Sequence, residues 1–168
     1  MNRQIRNLRD SFVYAFRGLL YCVRGERNMR IHLTAGAYVL WLSGYYQLSA
    51  VQVCLLLLSV GLVISMEMLN TAVEVLVNLE TTSYHPLARI AKDVAAGAVL
   101  VCALFSVGVG LLIFWDIPTF RAIWQDLLAR PLKAAELGLL TATGLVFIFA
   151  GPAKIAAVLQ AGRESGRK

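Results

Sequence analysis

Glu67, Asn70, Glu74 and Asn78 stand at offsets of 0, 3, 7 and 11 in an otherwise apolar stretch. On a helix turning 100° per residue, all four fall within about 60° of one line. Carboxylates are costly on a membrane helix, where they face a protein interior or a watery cavity and usually carry function. The row offers hard oxygen atoms and amide donors, which suit a hydroxyl, a magnesium ion and the phosphates that ion holds. One task fits that set. Phosphoryl transfer needs mostly positioning and neutralisation of phosphate charge, with a base or hydrogen-bond acceptor for the nucleophile.

Depth sharpens the expectation. From Val51 to Glu67 is sixteen steps, about 24 Å of helical rise. Glu67 is therefore expected near the cytoplasmic edge of the hydrocarbon, where a lipid hydroxyl lies. Glu74 follows about two turns later, in the aqueous layer with the metal-bound phosphates. The competing reading is that the row only bonds helices together; Asn70 alone would suit that role, but two carboxylates exceed it.

Further polar residues gather at the same membrane face. Glu26 lies among Arg24, Arg27 and Arg30, and Lys92-Asp93 opens a later helix just before the small residues Ala95-Ala96-Gly97-Ala98. Small side chains there permit close helix approach. Their bland readings are a solvated rim charge and a positive-inside anchor. His32 and His85 flank the site without a metal-ligand spacing, which points to packing. Cys22, Cys54 and Cys102 are far apart and read as reduced thiols packed like small hydrophobes.

The elements that must hold these residues are membrane helices. The 168-residue chain is 58% apolar and 15% charged, with a mean hydropathy of +0.66. Leu33–Met66, Val94–Trp115 and the run from Leu137 up to Lys154 carry no charge. About 20 helical residues cross a hydrocarbon core about 30 Å thick, so the first run is long enough to cross twice. The pattern predicts an all-α integral membrane protein. An amphipathic surface helix is expected at about 4–23, with Ile5, Leu8, Phe12, Phe16, Leu19 and Val23 on one stripe. Spans are expected at about 31–47, 51–79 and 86–115, giving a core of residues 1–115. A C-terminal extension, 116–168, should hold an interfacial helix at about 119–129 and a fourth span at about 134–150.

Charge orients the bundle. Residues 1–30 hold seven Arg against Asp10 and Glu26, while residues 116–136 sum to zero. Basic flanks mark the cytoplasmic side, so both termini are expected inside a bacterial cytoplasmic (inner) membrane. No apolar core of a signal peptide is expected in residues 1–30. The net charge of +6 is concentrated beside the spans, which argues against nucleic acid. There is no G-x-x-x-x-G-K-[ST] loop and no His-Arg-Asp or Asp-Phe-Gly, which excludes P-loop and protein-kinase folds. Gly108-Val109-Gly110 sits within a span and reads as packing.

Glu67-Met-Leu-Asn70-Thr-Ala-Val-Glu74 has the form E-x-x-N-[ST]-A-x-E, and Ala91-Lys92-Asp93 precedes a small-residue run. With Tyr84-His85-Pro86-Leu87-Ala88 and Glu26-x-Asn28-x-x-Ile31-His32, these segments resemble the prokaryotic diacylglycerol kinase and undecaprenol kinase family from about Ser11 to Trp115. The resemblance implies ATP- and Mg2+-dependent phosphorylation of a membrane lipid alcohol by a homotrimer of three-span subunits, with sites shared between neighbours. By position, Glu67 would be the general base and Asn70 would orient it. Glu26 and Glu74 would hold metal and nucleotide phosphates, and Tyr14, Ser83, Tyr84, His85, Lys92 and Asp93 would line the ATP site. Ile31-His32, Asn70-Thr71 and His85-Pro86-Leu87 look closer to the undecaprenol branch. Asn78 replaces a common Asp, Ser83 replaces an acid of the diacylglycerol type, and the fourth span is an addition. A transporter or proton relay, or an inactive scaffold of the same fold, are the alternatives.

Overall fold

A computed structural model describes residues 3–80 and 85–165 of the chain. The described residues form six helices: α1 (Arg3–Gly25), α2 (Arg27–Ser43), α3 (Ala50–Glu80), α4 (Pro86–Phe114), α5 (Ile117–Ala129) and α6 (Pro131–Ser165). They contain no strand. Three helices are long and apolar enough to cross a membrane: Ala50–Glu80, Pro86–Phe114 and Pro131–Pro152. Most of their side chains are uncovered by the chain itself, Leu58, Phe105 and Leu112 among them. Water would make that surface expensive, whereas lipid tails or neighbouring apolar helices accept it. The protein is an integral membrane bundle.

α2 differs from its expected limits. It begins at Arg27 and ends at Ser43, where 31–47 was expected, and its 17 residues leave it outside the three long spans. At 1.5 Å per residue it rises about 26 Å. It starts early because Glu26 takes an extended conformation (φ −96°, ψ 122°) that breaks the chain from α1. It stops early because Gly44, Tyr45 and Tyr46 close turn hydrogen bonds onto Trp41, Leu42 and Ser43.

α3 and α4 form the tightest pair, and α2 packs on both α3 and α6. Gly36 lets α2 approach α3: a Cβ there would meet Val60 at 3.2 Å. Ser106 of α4 donates to the Ser59 carbonyl of α3 at 3.2 Å, a cross-helix tie. α4 opens at Pro86, where the missing N–H costs nothing because the first turn has no partner for it. α5 starts two residues before expectation because Asp116 caps it, accepting from the Thr119 N–H at 2.9 Å. α6 starts at Pro131 and passes the expected end near Ala150: Gly151 (φ 69°, ψ 160°) kinks it and the helix resumes.

Candidate active site

The row on α3 grades from closed to open. Glu67 is 1% exposed and Asn70 7%, while Glu74 is half-buried and Asn78 exposed. Thr71, also buried, donates to the Glu67 backbone carbonyl at 3.0 Å, so its hydroxyl is satisfied within the helix. Asn70 Nδ2 donates to Glu74 Oε1 at 3.1 Å, so the amide expected to orient Glu67 holds Glu74 instead. Two atoms stay without a partner: Glu67 Oε2 and Asn70 Oδ1 are both buried and unbonded. Such orphans are rare in folded proteins, because each forfeits about 1–3 kcal/mol or more. Here the two lie on adjacent turns of one helix face.

Two other carboxylates act on Glu67. Glu26, at the α1–α2 break, and Glu74 both lie close enough to Glu67 to act on its charge. Glu26 caps nothing with its side chain, although it occupies the N-cap position of α2. Among the described residues, no three His, Cys, Asp or Glu side chains stand close enough to form a closed metal cage. Magnesium rarely uses one. It is commonly held by one or two carboxylates with substrate phosphates and water completing the shell, and Glu26 and Glu74 each offer a carboxylate of that kind.

α4 delivers the cationic side. Lys92 Nζ donates to Asn78 Oδ1 at 2.7 Å, joining the outer end of the row to α4. Asn78 is a neutral amide, so this contact is a hydrogen bond and not an ion pair. Asp93 is exposed and pairs with Arg89 at 3.7 Å, a solvated helix pair worth little to stability. His85 is exposed at the α4 N-cap and makes no side-chain capping bond. Tyr14 is 64% exposed on α1, with the Arg17 guanidinium 5.9 Å from its ring centroid, so within one chain it is not drawn into the carboxylate cluster. Ser83 and Tyr84 lie outside the described residues.

One residue here was not anticipated. Arg30 is 8% exposed and bonds to backbone carbonyls of α1 and α6. In the sequence it resembles its neighbours Arg24 and Arg27. The only signal was indirect: Pro152 deprives the carbonyl four residues earlier, Ile148, of its helical donor.

The family model described as prokaryotic diacylglycerol kinase matches residues 13–114. The chain belongs to that family. Within it, an undecaprenol kinase of Bacillus subtilis is 46% identical over 104 residues, 62% of this chain and 85% of that protein. A diacylglycerol kinase of Synechocystis is 47% identical over 105 residues, 62% of this chain and 60% of that one. The diacylglycerol kinase of Escherichia coli (strain K12) is 29% identical over 103 residues, 61% of this chain and 84% of that one. Every site residue described above falls inside the family match, whereas α5 and α6 lie beyond it. This prokaryotic diacylglycerol kinase family member is a membrane lipid kinase.

Proposed function

We propose that this kinase transfers the γ-phosphate of ATP to the primary hydroxyl of a membrane lipid alcohol, undecaprenol or diacylglycerol, at the cytoplasmic interface. The observation that carries the reading is the buried, unbonded carboxylate oxygen of Glu67. It supports a base held away from water with hydrogen-bonding capacity to spare. The hydroxyl donates to Glu67 and gives up its proton there as its oxygen bonds to the γ-phosphorus. The bond from that phosphorus to the β–γ bridging oxygen breaks, and ADP leaves. A positioned base of this kind is worth about 10²–10⁴ in rate.

Asn70 holds Glu74 by its amide N–H, and Glu74 with Glu26 holds the metal and the phosphates. A magnesium ion held by Glu26 and Glu74 would supply positive charge against the phosphates. Lys92 adds positive charge at the outer end, and Asp93, His85, Ser83, Tyr84 and Tyr14 complete the nucleotide surface. Uncovered apolar faces on α3 and α4 support assembly into a homotrimer, in which a neighbour would close the site over Tyr14. The charge pattern supports cytoplasmic termini in a bacterial inner membrane, with α2 as a fourth, short span.

The test is transfer of labelled γ-phosphate in mixed micelles, with undecaprenol and diacylglycerol in parallel. Both should be tried with magnesium and after chelation. Labelled lipid phosphate should form only with magnesium, faster from undecaprenol, whose branch the segments around Ile31, Asn70 and His85 resemble. No lipid phosphate from either alcohol would refute the proposal.

A further inference from the structure

We infer that α6, beyond the family match, sets the nucleotide half of the site by locking the α1–α2 hinge through Arg30, a positioning residue. Arg30 Nη1 donates to the carbonyls of Val23 at 3.1 Å and Arg24 at 3.2 Å, in the last turn of α1. Those carbonyls have no helical partner and form the negative end of the helix dipole, so a cation belongs there. Its Nε donates to the Ile148 carbonyl at 3.2 Å. Pro152, four residues on, has no N–H to offer that carbonyl, so the guanidinium replaces the missing helical bond.

The kink is shaped for this contact. Gly151 is buried with φ 69°, and a Cβ there would stand 3.5 Å from Arg30 Cζ. Arg30 forms no salt bridge, so among the described residues its partners are backbone carbonyls on two other helices. Further ties draw α6 onto α2. Arg27 lies 4.7 Å over the Phe149 ring, Tyr38 donates to Thr141 Oγ1 at 2.7 Å, and Gly144 is pressed against Thr34. Between the carbonyls that Arg30 grips and Arg30 itself sits Glu26. The angle between α1 and α2 fixes where that carboxylate stands relative to Glu67.

The inference rests on the reading of Glu26 as a metal–nucleotide ligand, and its test separates the two. A Cβ at Gly144 would meet Thr34 Cγ2 at 2.7 Å, so Gly144→Ala wedges α6 from α2. Thr34→Ser removes that methyl and keeps the hydroxyl that bonds the Arg30 carbonyl at 2.8 Å. Full-length Gly144→Ala should raise the KM for ATP-magnesium by about fivefold or more, with kcat within about twofold. It should also speed hydrogen exchange across residues 23–30, an index of local opening. Adding Thr34→Ser should restore both. If Gly144→Ala does not accumulate, Gly151→Ala, which strains the positive-φ backbone, should give the same pair of changes.

Unchanged exchange and unchanged KM would overturn the inference and leave the kinase reading intact. Faster exchange with an unchanged KM would overturn the link from hinge to site, and with it the role given to Glu26. A fall in kcat alone, without rescue by Thr34→Ser, would reduce the contact to ordinary packing and overturn the inference. If the parent transfers no phosphate, the proposed function fails, and the exchange data still decide whether α6 holds the hinge.

Discussion

The two ends of this bundle treat polar groups in opposite ways. At the α5 end, Asp126 takes both Arg130 at 2.9 Å and Lys133 at 2.8 Å, and Lys133 also lies 4.9 Å over the Tyr45 ring. Tyr46 donates to the Phe114 carbonyl at 2.7 Å, and Asp116 caps α5. The hydrogen bond from Lys133 holds the Asp126 carboxyl below its usual range, and the bonds from Thr119 do the same for Asp116. Burial pushes the Tyr46 hydroxyl up, with Asp116 adding to the effect. Among the described residues, no buried side-chain atom at that end lacks a partner. At the α3 row, Glu67 and Asn70 each keep a buried oxygen unbonded. A satisfied polar network rigidifies the fold, whereas buried oxygens left unbonded are costly; on the proposed function, that cost is borne where substrate binds.

Substitutions can break or sharpen that contrast. The largest effect is expected for Glu67→Gln, which keeps the shape and removes the base: turnover in mixed micelles should fall by about 10²–10⁴. ATP-magnesium affinity should change little. Next, Glu74→Gln should raise the KM for ATP-magnesium by about tenfold or more, the loss of one charged contact to the metal and its phosphates. Asn70→Ala removes the 3.1 Å bond that holds Glu74 and should lower kcat/KM by about tenfold, read in the same assay.

The closed end should respond only in stability. Arg130→Ala removes an exposed ion pair and should shift the melting temperature by no more than about 4 °C, with phosphotransfer unchanged. Asp126 and Asp116 have depressed pKa values, so their contribution is complete above the ordinary carboxylate pKa of about 4. It is lost as pH falls through the depressed values. The parent should therefore melt higher than Asp126→Asn at pH 7, and the two curves should converge only in stronger acid. A loss of phosphotransfer from either closed-end variant would erase the distinction between the ends.

Much of this was legible because it depends on local pattern. Long charge-free runs fix the three long helices, and the 3, 4, 4 spacing puts Glu67, Asn70, Glu74 and Asn78 on one face whatever surrounds them. What escaped was tertiary. α2 begins and ends four residues before the expected span because Arg27 and Arg30, counted in the basic flank of residues 1–30, belong to the helix, and Arg30 is buried on carbonyls from α1 and α6. A Gly-Pro pair such as Gly151-Pro152 can either end or kink a helix, and only the structure decides that α6 kinks there and resumes. The bond from Lys92 to Asn78 joins residues fourteen apart on two helices, and no spacing announces it.

The central claim is that the unbonded carboxylate of Glu67 meets the lipid hydroxyl. Infrared difference spectra recorded on adding undecaprenol to nucleotide-loaded protein test it most directly. The account predicts a shift in a carboxylate stretching band that is absent from Glu67→Gln. Identical difference spectra from parent and variant would contradict it.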